Sequence, residues 1–250
     1  MEDLEDVAGL LFAAASVDRL TLFYTISKER LRLTQLASRL PASTQETSRH
    51  LSRLQEAKII ERRADGCFNV TPFGKSLLVL LPSLKFLTRH KEYFLSHDLS
   101  TLPSEFIERI GELEEGEFRH GVGEVLNHTA VVIREAEEYV WLCSDNPMDL
   151  TTLGGKRCGE NVPFRIIVPV ARTGANIPET PSAELGSNTE LRLVDRVNTG
   201  IAMNEKRAGV TFPSLTGEID FNSGFGSNDP NFHKWCADLF MFHWNKAKSV

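Results

Sequence analysis

Apolar residues near the start of the chain recur every three or four positions. Leu4, Val7, Ala8, Leu11 and Ala15 predict a first helix over about 3–15, and Leu20, Phe23 and Ile26 predict a second over about 17–28. Leu31-Arg32-Leu33 alternates like a short strand. Thr34 can then cap a third helix over about 35–40, which Pro41 stops. A fourth helix starts at Ser43 or Thr44 and runs to about Ala57. After Lys58 the pattern turns strand-like in Ile59-Ile60-Glu61-Arg62-Arg63, bends at Asp65-Gly66 and returns in Cys67-Phe68-Asn69-Val70, a hairpin signature. Thr71-Pro72 opens another helix carrying Leu77, Leu80, Leu84, Leu87 and Phe94, with Pro82 expected to kink or divide it.

Beyond it, Glu105 to Glu117 reads as a short amphipathic helix plus a turn. From about 122 onward helix and strand alternate. Val122 to Glu138 is helical in period, and Tyr139–Cys143, Phe164–Val168 and Leu191–Val194 are strand candidates. Residues 199–204 and 208–212 suggest a hairpin around Glu205-Lys206-Arg207, and Asp229 to Lys246 forms a last helix. Strands separated by helices predict an α/β layer. Residues 173–188 read as a loop. Three parts are expected: a DNA-binding domain over 1–75, linker helices with a candidate dimerisation segment over 76–121, and an effector domain over 122–250.

Helix, short strand, helix, helix, hairpin, helix is the order of a winged helix-turn-helix, an α+β unit. Leu36, Leu40, Leu51 and Leu54 supply a small core between the third and fourth helices, with Ala37 small at their approach. Such a fourth helix can lie in the major groove of double-stranded DNA. The candidate DNA contacts are Thr34 and Gln35 on the third helix, and Ser43, Thr44, Gln45, Thr47, Ser48, Arg49 and Arg53 on the fourth. Arg62 and Arg63 on the hairpin complete the set. Arg49 suits a guanine, because its planar fork matches two acceptors on one base. Arg53, Arg62 and Arg63 suit phosphate.

Charge changes the picture only through its distribution. The net charge is −6, which looks wrong for a DNA binder. Residues 7–75, however, carry eleven Lys/Arg against six Asp/Glu, so a basic segment sits beside an acidic body. The acidic start of the chain is unlike a secretory signal, and the apolar runs Val7–Ala15 and Leu77–Leu81 are too short to span a bilayer. A cytoplasmic location without membrane attachment is therefore expected. Cys67, Cys143, Cys158 and Cys236 lack finger spacing, so reduced thiols are expected and no metal.

Residues 1–75 are similar to winged-helix regulators of the ArsR-like and MarR-like kind. Further motifs resemble archaeal regulators of the methanogenesis-regulator (FilR) type: His90-Lys91-Glu92-Tyr93-Phe94, His97-Asp98-Leu99, Ile110-Gly111-Glu112-Leu113, Asn204-Glu205-Lys206, Val210-Thr211-Phe212-Pro213, Gly217-Glu218-Ile219-Asp220 and Trp235-Cys236-Ala237-Asp238-Leu239-Phe240. The resemblance implies a C-terminal effector domain like that of TrmB-type regulators, related to the phospholipase D fold. The His-x-Lys-x(4)-Asp pattern of that fold's active site is not matched by His90-Lys91 or His233-Lys234, so phosphodiesterase activity is not expected.

No catalytic residue or cofactor is expected. His97-Asp98 invites a general-base reading, but neighbours on a helix do not face each other. Leu153-Gly154-Gly155-Lys156 lacks phosphate-loop spacing and reads as a turn. The sequence thus favours a DNA-binding regulator that senses a ligand or partner, with a small-molecule effector of unassigned identity. Two alternatives stay open: an enzyme carrying a DNA-binding head, and a winged helix that docks protein. A homodimer is expected, with Leu4, Val7, Leu11 and the 77–94 stripe as its apolar surface.

Overall fold

The computed structural model describes residues 2–145, 162–170 and 188–249. Cys158, the Leu153–Lys156 turn and nearly all of the 173–188 loop lie outside the described residues. The chain divides into two compact units, residues 1–81 and 82–250.

The first unit holds α1 (Glu2–Ala14), α2 (Val17–Lys28), β1 (Leu31–Arg32), α3 (Leu33–Ala37), α4 (Thr44–Glu56), β2 (Ile60–Arg62), β3 (Cys67–Val70) and the start of α5 (Pro72–Arg89). Its three strands order as β1-β3-β2, all antiparallel. Leu22, Phe23, Ile26, Leu36, Leu51 and Leu54 pack with Ile59, Ile60, Phe68 and Val70 into one core. Burying side chains of this size contributes about 1.5–3 kcal/mol each.

Polar details fix the joints. The carbonyls at the end of α1 are taken by Arg19, whose Nε donates to Ala13 O (2.6 Å) and whose Nη2 donates to Phe12 O (3.1 Å). A guanidinium there suits the negative end of the helix. At the end of α4, Ile59 N–H donates to Leu54 O and Lys58 N–H to Gln55 O, with Lys58 at φ +57°. This is a Schellman closure, made here without the usual glycine. Gly74 lets α5 lie against β2, since a Cβ there would stand 2.2 Å from Ile59 O.

The helix expected over 35–40 is instead α3, closed by Ala37. It begins at Leu33 because Gln35 Oε1 accepts the N–H of Arg32 at its head (2.9 Å). Pro82 lies inside α5 and does not end it; the break comes at His90, before α6 (Lys91–Ser96).

The second unit continues with α6, α7 (Ser104–Glu108), a 3₁₀ turn (Ile110–Leu113), β4 (Glu117–His120), α8 (Val122–Arg134), β5 (Val140–Cys143), β6 (Phe164–Pro169) and β7 (Thr189–Val194). Then come β8 (Gly200–Asn204), β9 (Ala208–Thr211), β10 (Ser223–Ser227), α9 (Pro230–Lys246) and β11 (Lys248–Ser249). Among the described residues its sheet has eight strands, in the order β11-β7-β6-β5-β8-β9-β10-β4. Only β5–β6 and β6–β7 pair in parallel. The other five pairings are antiparallel. The α/β layer expected from helix–strand alternation is thus a mixed sheet in an α+β unit, because β8, β9 and β10 follow one another without an intervening helix.

Residues 82–121, most of the 76–121 stretch expected as linker helices with a candidate dimerisation segment, contribute side chains to this unit's core. Phe86, Tyr93, Leu102, Phe106, Ile110 and Leu113 pack with Phe212, Phe225, Trp235, Leu239 and Phe240. A second cluster forms between α8 and the parallel strands, around Val132, Ile133, Leu142 and Ile166.

Candidate nucleic-acid interface

The site begins with the cap of α4. Ser43 Oγ accepts the N–H of Glu46 (3.2 Å), and Glu46 Oε2 accepts the N–H and Oγ–H of Ser43 (2.9 and 2.8 Å). This reciprocal box satisfies N–H groups that a helix start leaves unbonded. Those hydrogen bonds to Ser43, followed by the charges of His50 and Arg49, hold the Glu46 carboxyl below the usual range.

From this start α4 has two unlike faces. Thr47, Leu51 and Leu54 are buried. Thr44, Gln45, Arg49, Ser52 and Arg53 are exposed on the opposite side, with Ser48 half-buried between. Thr47 is therefore removed from the expected DNA contacts. It is fully buried, and its hydroxyl donates to Ser43 O (3.0 Å) because its position shares the helical face of Leu51 and Leu54.

Ser43 and Gln35 also spend their side chains on helix starts. Thr34 and Gln35 are exposed on α3. Arg49 is exposed and belongs to no ion pair among the described residues. Arg53, one turn on, is held over the Phe12 ring of α1 at 5.6 Å. His50 leans from α4 to Asp18 of α2 at 3.6 Å. Near α3, Arg39 is neutralised by a two-bond pair with Glu29 (2.9 and 2.8 Å).

The hairpin supplies the remaining cations. Its turn is closed by Arg63 N–H to Cys67 O (2.8 Å) and Cys67 N–H to Asp65 Oδ1 (2.9 Å), with Gly66 at φ +82°. Arg62 is exposed and lies 5.9 Å from the Phe68 ring centre. Arg63 is exposed and pairs with Glu61 at 3.1 Å, so an outside anion would compete with that carboxylate.

In the second unit the histidines are placed by partners that sequence spacing does not reveal. His97 does not work with Asp98, whose carboxylate binds Ser100. Its Nδ1 meets Tyr93 O (2.7 Å) and its Nε2 meets Asp220 Oδ2 (3.0 Å), while the ring stacks on Tyr93 at 3.6 Å. His233 Nε2 lies 2.6 Å from Asn204 O. Burial pushes the Cys143 thiol up to about 12 and raises that of Cys236, so neither is a ready nucleophile. Among the described residues no group of three or more His, Cys, Asp or Glu side chains is arranged to hold a metal ion, and no single helix is long and apolar enough to cross a membrane.

No family model and no curated protein matches the chain. Several solved structures are similar to it at low scores. TrmBL2, an archaeal chromatin protein with a novel mode of DNA binding, is 14% identical over 94% of each chain, with a TM-score of 0.41. NucT from Helicobacter pylori is 14% identical over 54% of this chain and 100% of its own, with a TM-score of 0.39. Nuc from Salmonella typhimurium, a phospholipase D family member, is 14% identical over 54% of this chain and 99% of its own, with a TM-score of 0.36. At these scores the likenesses carry no argument about function.

Proposed function

We propose that residues 1–81 form a winged helix-turn-helix that binds double-stranded DNA, and that the protein is a sequence-specific transcriptional regulator. One observation supports this above the others. The open face of α4 presents Thr44, Gln45, Ser48 and Arg49, while its other face is anchored by Thr47, Leu51 and Leu54. Short hydroxyl and amide groups ahead of an unpaired arginine suit base edges and phosphates together. The β2–β3 hairpin is the wing in this reading, with Arg62 free for phosphate.

Selection of bound sequences from a random duplex pool, followed by a salt titration on the winner, tests the reading. The affinity should fall with salt at a logarithmic slope of about −0.9 per phosphate contacted. Arg49→Ala should relax base selectivity by ~1–3 kcal/mol. Discrimination unchanged in that variant would remove Arg49 from base reading. An affinity indifferent to salt would favour a protein-docking winged helix instead.

In this proposal the second unit is a non-catalytic effector domain of the TrmB-like kind, and the FilR-type resemblance describes the whole chain. A ligand there would act by binding two states unequally. A cytoplasmic homodimer belongs to the same reading. Leu4, Val7 and Leu11 are 72%, 50% and 59% exposed on one side of α1, an apolar face that a second copy would cover. Sedimentation showing only monomer at micromolar concentration would overturn the dimer and leave DNA binding to be judged separately.

A further inference from the structure

Two openings in the second unit share a wall. One is a chamber of about 50 Å³ beneath α8, bounded by Val125, Leu126, Leu142, Phe221 and Thr211. The other is a polar groove that includes Arg207, Asn228 and Asn231. Arg119 and His128 line both.

The chamber follows from a sheet face built of small residues. A Cβ at Gly209 or Gly226 would come within 2.7 Å of the His128 ring. One at Gly200 or Gly224 would come within 2.3 or 2.6 Å of the Thr211 side chain. Four glycines on three neighbouring strands thus make room for one imidazole, one hydroxyl and the space between them.

Polar atoms here are buried without partners: Arg119 Nε, Arg207 Nε and Thr211 Oγ1. Arg119 spends Nη2 on Glu117 (3.1 Å) and Arg207 spends Nη2 on Glu135 (2.6 Å), so their Nε donors are left over. A buried polar group without a partner is costly, and more so when it is charged. His128 does not compete for the role of cation. Burial first, then the charges of Arg119 and Arg207, push it down to about 4.

We propose that this chamber binds a small organic monoanion: a carboxylate seated on Arg119 Nε at the shared wall, with a short tail inside. The volume sets the tail. About 50 Å³ holds roughly four water-sized groups, hence a chain of about three or four heavy atoms. The walls are mainly apolar; besides Arg119 and His128, the polar side chains on them are Thr129, Ser144 and Thr211, and the buried Thr211 hydroxyl, which has no partner, accommodates one polar substituent. This deepens the effector reading of the second unit by giving it a ligand chemistry.

The test is calorimetric titration of the full chain without DNA, using butyrate, 1-butanol and butylamine as probes. Butyrate should bind at least tenfold more tightly than either neutral or cationic analogue. Arg119→Gln should abolish that preference, and Leu126→Trp, which fills the chamber from α8, should abolish binding by the tail. Circular dichroism confirms that both variants are folded. Butyrate binding that survives both substitutions, or no binding of butyrate at millimolar concentration, would overturn the site. A chain that binds butyrate but no duplex would sink the regulator and leave the site standing; the opposite result would sink the site alone.

Discussion

His128 makes the stability of the second unit depend on mild acid. Its ring lies over Gly209 and Gly226, 8% exposed, with Nε2 3.3 Å from Ala208 O. Burial and the nearby Arg119 and Arg207 lower it to about 4, against an unfolded value of about 6.5. The unfolded chain therefore takes up this proton first as pH falls. The stabilisation is fully present above pH 6.5 and is lost progressively as pH falls toward 4. Between pH 7 and 4.5 linkage makes that loss about 2–3 kcal/mol. All three tryptophans, Trp141, Trp235 and Trp244, belong to the second unit, so their fluorescence follows its unfolding alone. Denaturant curves at the two pH values should show the native chain losing about 2–3 kcal/mol more than His128→Gln. Carboxylates and the other histidines titrate in both proteins and cancel in the difference. Equal losses would refute a neutral, desolvated His128.

Two further substitutions test the first unit. Lys58→Gly relieves a left-handed residue worth about 1–2 kcal/mol and adds back about 0.5–1 kcal/mol of glycine entropy. Amide exchange at Leu51 and Leu54 should slow by roughly two- to fivefold, and faster exchange would contradict the Schellman closure of α4. Gly74→Ala drives a methyl into Ile59 O, a backbone atom that cannot rotate away. It should cost about 1–3 kcal/mol, read as lost exchange protection across β2 and β3. Undiminished protection would show that α5 does not lie as close as described.

Local signals were enough for much of the first unit. Ser43 and Glu46 sit at capping-box spacing, Asp65-Gly66 marks the hairpin, and the leucines of α4 repeat on one face. The same face arithmetic applied to Thr47 places it with Leu51 and Leu54, so its burial was legible and its hydroxyl misled. In the second unit, β10 reads Ser-Gly-Phe-Gly-Ser, and glycine is poor in strands. It is a strand here because an imidazole and a threonine occupy the space its side chains would fill. β4 hides in an acidic stretch for a related reason: its residues are mostly exposed at the sheet edge, leaving little apolar alternation. The partner of His97 stands 123 positions away, and no local rule reaches that far. The leftover donors of Arg119 and Arg207 are properties of packing, visible only once the other nitrogens of both side chains are accounted for.

The segment from α6 to the 3₁₀ turn is fastened to α5 by Gly111 N–H to Ser83 Oγ (3.1 Å), and otherwise largely to the far end of the chain. Phe212 N–H donates to Tyr93 Oη across 119 positions, Trp235 Nε1 to Phe106 O across 129, and Arg109 to Asp238 across 129. Closing loops that long carries its entropy cost before any contact is gained. During synthesis these residues leave the ribosome long before their partners exist, so their aromatic side chains wait uncovered until α9 emerges. Residues 1–81, whose contacts are short-range, can be complete by then. Chain growth thus separates the two units in time, and in that interval Phe86, Tyr93 and Phe106 are open to aggregation.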